Sequence, residues 1–167
     1  SCEGAASAGV GRIDGRSVAA IGLASQVDGL VAVDGEHRAL APGIIWMDRR
    51  ATRQTEMLRQ KIDPDDVLRI TGLNVDAGHV APKILWLRDE RPDLLARTRA
   101  YLLPGTYLVA QLTGEVVVDH ANASSTMLYD VVRRTWSDAM LESTGIGCRG
   151  AKAPRSARIR NRCISLP

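Results

Sequence analysis

Two short stretches of the sequence place carboxylates next to an amide or an indole, directly after apolar residues. In SQVDGL, Gln26 and Asp28 follow one apolar run, and in GIIWMDRRA, Trp46 and Asp48 follow another. Amides and carboxylates exchange hydrogen bonds with hydroxyl groups, while the apolar face of an indole covers C–H groups. These residue types therefore favour a site for a polyhydroxylated ligand such as a sugar.

Each of these residues also has an ordinary structural interpretation. Asp28 begins an Asp-Gly dipeptide, which is a strong turn signal. Asp48 is placed to pair with Arg49 or Arg50 at the surface, and Trp46 is equally suited to a core position. Position along the chain alone leaves both interpretations open.

Other local motifs that carry chemistry are absent from the sequence. There is no G-x-S-x-G, no G-x-x-x-x-G-K-[ST] and no G-x-G-x-x-G after a strand. His37, His79 and His120 are too widely spaced to predict a metal site. The three cysteines are odd in number and lack metal-binding spacing, so we expect free thiols in a cytoplasmic protein.

The net charge of +3 is unevenly distributed along the chain. Residues 148–167 contain six basic residues and no acid, so the remainder carries a net charge of −3. A basic tail can bind phosphate backbones, but this one lacks aromatic residues to stack on bases. We therefore expect a disordered or non-native tail, such as an out-of-frame end of GC-rich coding sequence, rather than a nucleic-acid site. No apolar run or signal peptide predicts a membrane partner.

Short strands followed by helices are expected to position the polar residues. Apolar runs at 18–24, 29–34 and 43–46 predict three strands with short connections, hence a mixed sheet that contains a hairpin. AYLL at 100–103 predicts a further strand.

Helix-forming residues and capping signals dominate the rest of the chain. They predict helices over 49–62, 63–72, a segment with Pro82 in its first turn, 91–99, Pro104 to Gly114, and 136–145 with Ser137 as N-cap. We place one domain at 18–147, between an irregular lead-in at 1–17 and the basic tail at 148–167.

Five segments in a fixed order resemble the first domain of the FGGY carbohydrate kinases, the family of xylulokinase and glycerol kinase. The segments are AIGLASQVDGLVAVD, PGIIWMDRRA, ITGLNVDAGHVAPKILWLRDERPD, YLLPGTYLVAQLTGE and VVDHANASSTMLYDVVRRTWSDAMLESTGI. Among them, APKILWLRDE resembles the core of a family signature centred on Lys83 and Trp86. The resemblance covers about residues 17–147.

The resemblance implies an actin-like, ribonuclease-H-type α/β fold, with two such domains around a cleft. It implies transfer of the ATP γ-phosphate to a hydroxyl of a sugar or polyol, such as xylulose or glycerol. The family's phosphate loop on the first hairpin, its catalytic aspartate and its second domain, which hold ATP and Mg²⁺, are not recognisable here. We therefore expect no catalytic residue or metal ligand in this chain, no activity from it alone, and a homodimer of the full-length enzyme.

The resemblance also assigns sugar contacts to positions of this chain. The loop after AIGLASQ contributes two contacts, here Val27 and Asp28, where xylulokinases usually show Met-His and glycerol kinases Arg-Glu. Trp46 matches the tryptophan that walls the polyol site in glycerol kinases, and DAGHVAPK provides further contacts. The complete predicted site comprises Gln26, Val27, Asp28, Trp46, Asp48, Gly78 and His79. The alternative is a non-catalytic module that binds sugars or, through its tail, nucleic acid.

Overall fold

The chain folds as helices arranged around a small sheet. A computed structural model describes residues 15–148, 159–160 and 164–165. The helical elements are a 3-10 turn (Gly15–Ser17), α1 (Thr52–Lys61), α2 (Pro64–Thr71), α3 (Val80–Glu90), α4 (Pro92–Leu95), α5 (Pro104–Thr113), α6 (His120–Ser124) and α7 (Asp138–Thr144). The strands are β1 (Val31–Val33), β2 (Ala100–Leu102), β3 (Val117–Val118), β4 (Tyr129–Asp130), β5 (Thr135–Trp136), β6 (Gly147–Cys148), β7 (Ile159–Arg160) and β8 (Ile164–Ser165).

The central sheet places β1 and β2 in the core. Its strand order is β1-β2-β8-β6, while β3 pairs with β7 and β4 with β5. β1 and β2 run antiparallel, with Val31 opposite Leu102, and every residue of both strands is buried. The strands predicted at 29–34 and 100–103 are thereby confirmed. The described strands pair only antiparallel, so this part of the chain shows no parallel component of a mixed sheet.

The other two predicted strands are wrong, each in its own way. At 43–46 only Ile44 pairs, through a single antiparallel bridge to Leu30. Residues 18–26 have no regular secondary structure and are exposed. The physical reason lies in β1, which is flanked by β2 on one side and by bridges from Ala39 and Ile44 on the other. A strand needs a free neighbouring edge, and β1 offers none to the preceding segment.

Local capping residues set the helix ends that the sequence predicts. Gly72, Gly114 and Gly145 follow α2, α5 and α7 with φ of 72°, 73° and 68°. Glycine adopts this left-handed conformation without a Cβ clash. Ser137 caps α7 by accepting a hydrogen bond from the backbone N–H of Met140. Within the described residues, no helix is long and apolar enough to cross a membrane.

Helix α3 is the element that carries most of the candidate site, and it is buried on most of its sides. Its predicted core face of Val80, Ile84 and Leu87 is buried, and these residues share one apolar cluster with Leu58 of α1 and Tyr101 of β2. Burial of apolar surface stabilises a fold by about 25 cal/mol per Å². This packing fixes the N-terminus of α3 against the sheet.

The basic segment 148–167 contacts the body through two described strands. β7 pairs with β3, and β8 lies between β2 and β6. The expectation that this segment stays apart from the body therefore does not hold at Ile159–Arg160 and Ile164–Ser165. Open strand edges present unpaired backbone N–H and C=O groups, with which an extended segment can form hydrogen bonds. The irregular lead-in was expected at 1–17, and its last three residues form the 3-10 turn Gly15–Ser17. Residues 1–14 and the other tail residues lie outside the described residues.

Candidate functional site

Three segments that are distant in sequence meet at the N-terminus of α3. They are the loop before β1, the turn after Ile44, and the approach to α3 itself. Gln26 in the first segment accepts a hydrogen bond from the backbone N–H of Trp46 in the second, at 3.1 Å. The carboxylate of Asp28 lies 3.2 Å from Nδ1 of His79 in the third. The structure thus brings together residues that the sequence placed in separate motifs.

Asp28 has an uncommon backbone conformation. Its φ of 57° lies in the left-handed region, which is uncommon for non-glycine residues, although Asp adopts it more readily than most. Its side chain is 17 % exposed, as is that of His79. The carboxylate–imidazole pair therefore lies at the boundary between the core and the solvent, where part of it is accessible to a ligand.

His79 occupies the N-cap position of α3 without capping it. The imidazole makes no hydrogen bond to the helix N–H groups and contacts Asp28 instead. A typical N-cap side chain would use its acceptor on the first turn of the helix. Here the loop before β1 engages that side chain, which links the Asp28 loop to the helix.

Lys83 lies one helical turn after His79 and is fully buried. Its ammonium donates to the backbone carbonyl of Asp28 at 2.7 Å and to that of Gly78 at 2.5 Å. Burial lowers the pKa of Lys83, while the nearby carboxylates of Asp28, Asp48 and Asp76 oppose this shift. The ammonium thus holds two of the converging segments together.

The carboxylate of Asp48 is engaged by its sequence neighbour. Both of its oxygens accept hydrogen bonds from the guanidinium of Arg50, at 2.6 to 2.9 Å. These bonds are the main cause that holds the pKa of Asp48 below its usual value. The guanidinium of Arg50 also lies 4.7 Å from the ring centre of Trp86 on α3, in cation–π geometry. Asp48 therefore has the structural partner that the sequence allowed for it.

A second ion pair borders the site on the side of Gly78. Arg49 donates to both oxygens of Asp76, at 2.8 and 2.7 Å, and Asp76 also accepts from the N–H of Gly78 at 2.8 Å. A Cβ on Gly78 would stand 3.1 Å from the Asp76 carboxylate and 3.5 Å from the carbonyl oxygen of Trp46. Glycine at this position lets the turn and the helix approach closely.

Apolar surface lies beside the polar pair. Trp46 is 54 % exposed and Val27 is 46 % exposed, and Ile45 and Met47 are exposed as well. Because the backbone N–H of Trp46 binds Gln26, two residues before Asp28, exposed apolar residues share these segments with the donors and acceptors of the pair. This combination suits a ligand that has both C–H groups and hydroxyls.

Two sets of contacts in this arrangement were not predicted from the sequence. They are the pairing of Arg49 with Asp76 and the hydrogen bonds from Lys83 to two backbone carbonyls. One sequence signal was available for the last of these, because a single lysine interrupts the apolar run VAPKILWL. The partners of Arg49 and Lys83 lie 27 and 55 residues away, so no local pattern reveals them.

Two further observations limit what the site contains. Among the described residues, no group of three or more His, Cys, Asp or Glu side chains could hold a metal ion. A cavity of about 480 Å³, lined by Arg69, Asp130, Trp136 and their neighbours, includes none of the predicted site residues.

A comparison with protein families identifies the class of protein. The model for the N-terminal domain of the FGGY family of carbohydrate kinases matches residues 4–155. The match extends over most of the chain, so the chain belongs to the FGGY family.

Curated relatives of this chain are xylulose and glycerol kinases. It is 36% identical over 128 residues to xylulose kinase of Escherichia coli (strain K12), a match that covers 77% of this chain and 26% of the relative. It is 39% identical over 132 residues to glycerol kinase of Aromatoleum aromaticum, covering 75% of this chain and 27% of the relative. The chain thus spans about a quarter of the length of these relatives.

Solved structures share the fold. A structure described as a xyloylose kinase from Brucella ovis matches with a TM-score of 0.72 and 36% identity, over 79% of this chain and 27% of that chain. Glycerol kinase of Plasmodium falciparum with ADP matches with a TM-score of 0.66, over 78% of this chain and 29% of that one, and at 23% identity it shows the fold alone. The actin-like α/β class expected from the sequence is confirmed.

Proposed function

We propose that the full-length protein transfers the γ-phosphate of ATP to a hydroxyl of a small ketose or polyol, and that this chain supplies part of the acceptor site. The observation that carries the proposal is the contact between Asp28 and His79, together with the hydrogen bond that ties the exposed residue Trp46 to Gln26 of the same loop. The xylulose and glycerol kinases among the relatives favour an acceptor of this size.

Each predicted contact has a distinct role in the proposed site. The Asp28 carboxylate accepts a hydrogen bond from an acceptor hydroxyl, and His79 offers its ring nitrogens. Trp46 covers the C–H face of the ligand, with Val27 as an exposed apolar neighbour. Three other predicted residues, Gln26, Asp48 and Gly78, shape the walls through the contacts described above.

ATP and Mg²⁺ are proposed to bind outside the described residues. The carboxylates of Asp48 and Asp76 are engaged by arginines, and the described side chains form no metal cluster. Mg²⁺ neutralises charge on a transferring phosphoryl group when it is bound. The contribution of this chain is to bind and orient the acceptor, so the 167-residue chain alone should release no ADP above background.

The identity of the acceptor depends on two adjacent positions. Val27 and Asp28 match neither the Met-His pair usual in xylulokinases nor the Arg-Glu pair of glycerol kinases, although Asp28 keeps a carboxylate. We therefore propose that a panel of pentuloses, polyols and glycerol will identify the substrate of the full-length protein.

The test is the change of Asp28 to Ala in the full-length protein, with coupled ADP release as the readout. Removing a hydrogen bond to a charged group should raise the KM for the acceptor about tenfold, with the KM for ATP little changed. Glu115→Ala, at an exposed carboxylate after α5, is the matched control. An unchanged acceptor KM would remove Asp28 from the site. A full-length protein that binds sugar but releases no ADP would favour a non-catalytic module.

The cellular location and the oligomeric state of the full-length protein are proposed from the sequence. Three cysteines without pairing or metal-binding spacing favour a cytoplasmic location. A homodimer of the full-length protein stays a prediction, which analytical ultracentrifugation will decide.

A further inference from the structure

We propose that Lys83 is a positioning residue for the acceptor site, which holds the backbones of Asp28 and Gly78 so that Asp28 and His79 face the ligand together. The expected effect on acceptor binding rests on the proposed function. The contacts of Lys83 themselves are present without any ligand. Lys83 itself is fully buried and does not touch the acceptor.

The first support is that the two carbonyl groups bound by Lys83 belong to different segments of the chain. Asp28 precedes β1 and Gly78 precedes α3, and a single ammonium donates to both of them. The two segments are fifty residues apart in the chain, and among their contacts this ammonium is the group that binds both main chains directly. An ammonium is a compact charge with three donors and can bridge two carbonyls at once.

The second support is the backbone of Asp28. A left-handed φ of 57° is uncommon for a non-glycine residue, although less so for Asp, and contacts with the surrounding structure stabilise it. Lys83 binds the carbonyl of that same residue, while His79 contacts its carboxylate. The main chain and the side chain of Asp28 are therefore both held from a single turn of α3.

The third support is the position of Lys83 within α3. Its neighbours Val80, Ile84 and Leu87 are buried and apolar, so an apolar side chain at position 83 would suit the core better than a buried ammonium. Aspartate carboxylates at positions 28, 48 and 76 surround the ammonium and offset its burial. A lysine here makes physical sense if the orientation of the two carbonyls matters.

The kinetic test uses the full-length protein with Lys83→Met and a control, Ile84→Val, which trims the next residue on the same helix. Lys83→Met should raise the acceptor KM by about tenfold or more and leave the KM for ATP within about twofold, because only acceptor orientation is lost. Ile84→Val should change neither KM. If the KM for the acceptor and the KM for ATP rose by the same factor, and did so in both variants, Lys83 would have a general packing role and the proposal would be overturned.

Rescue separates positioning from packing. Lys83→Cys, in a background whose other cysteines are serine, can be alkylated with bromoethylamine in the unfolded state and then refolded, because the buried thiol is shielded in the folded protein. The product carries an ammonium at nearly the same reach. We expect the acceptor KM to return to within about threefold of the unsubstituted value. Failure of the ammonium to restore the KM, in a variant whose Tm is restored, would overturn the proposal.

Hydrogen exchange decides the contact even if the full-length protein is not a kinase. Peptides that cover 26–30 and 76–79 should exchange about tenfold faster in Lys83→Met than in Ile84→Val, because local opening becomes easier. Unchanged exchange in these peptides would show that the two carbonyl contacts of Lys83, the clamp, do not hold these segments. Faster exchange without any sugar-dependent activity in the unsubstituted protein would refute the proposed function and leave the clamp standing.

Discussion

The loop that carries Asp28 and the turn that carries Asp48 both place a carboxylate after an apolar segment, but the two carboxylates are held differently. The contacts of Asp28 come from His79 and Lys83, 51 and 55 residues further along the chain. Asp48 is bound by Arg50, two residues away. A carboxylate held by remote elements has its direction set by the fold, whereas one held by a neighbour has it set by the local turn.

This difference has a functional consequence. The guanidinium of Arg50 uses both oxygens of Asp48, so a ligand hydroxyl would have to compete with a fork of charge-assisted bonds. Nδ1 of His79 contacts one oxygen of Asp28, and a carboxylate has room for several hydrogen bonds. We therefore rank Asp28 above Asp48 as the acceptor-binding carboxylate. The predictions that follow test the contacts held by remote elements first and the ranking itself last.

The largest of these effects is expected at Gly78, where the remote contacts converge. An added Cβ would stand 3.1 Å from Oδ1 of Asp76, the same oxygen that accepts a hydrogen bond from Arg49. Gly78→Ala should therefore shift the segment and raise the acceptor KM of the full-length protein about fivefold, because small displacements disturb orientation. Steady-state kinetics with the sugar panel provide the measurement.

Gly22→Ala is the matched control for this change. Nothing lies within 4 Å of a Cβ on Gly22, which sits in the exposed segment before β1. The control should leave both KM values unchanged. Equal effects of the two substitutions would mean that the Gly78 approach has no part in acceptor binding.

The same contrast between local and remote partners explains which features the sequence predicts. The caps at Gly72, Gly114, Gly145 and Ser137 depend on a few adjacent residues, and each is found where the sequence places it. The expected strand at 18–24 depends on a free edge elsewhere in the chain, which β1 does not provide. Apolar patterning is a local signal, so it cannot report which edges are already occupied.

The contacts of the candidate site also differ in whether the sequence could predict them. The pairing of Asp48 with a neighbouring arginine was one of the alternatives left open by the sequence, because the two residues are adjacent. That Asp28 and His79 belong to one site followed from the family resemblance, and they lie in contact. The two carbonyl contacts of Lys83 required the folded chain, since neither the residue type nor its spacing specifies them.

An intermediate effect is expected for the ion pair between Arg49 and Asp76. The hydrogen bonds that Arg49 donates to the Asp76 carboxylate are the main cause that holds the pKa of Asp76 below its usual value. A lowered pKa stabilises the fold above the unfolded-state value, and this stability is lost as the pH falls through the folded-state value. Asp76→Asn should reduce the free energy of unfolding by about 1 kcal/mol at pH 7, since both side chains are partly exposed.

The pH dependence of that difference identifies its cause. The gap between the unsubstituted chain and Asp76→Asn should be constant above about pH 5 and shrink below about pH 4, as Asp76 becomes protonated. Urea unfolding at a series of pH values measures it. A gap that persists unchanged to pH 3 would show that the contribution of Asp76 does not come from its charge.

The smallest effect is expected at Asp48, and it tests the comparison most directly. Asp48→Asn removes a charge from a local pair whose arginine side chain is 47 % exposed, and exposed pairs of this kind contribute about 0.2–1 kcal/mol. The amide still accepts a hydrogen bond from Arg50, which can remain over Trp86, so the acceptor KM should stay within about threefold. Kinetics of Asp48→Asn beside Asp28→Asn give the two values under the same conditions. A larger rise in KM for Asp48→Asn than for Asp28→Asn would reverse the ranking and place the turn after Ile44, rather than the loop before β1, at the centre of the acceptor site.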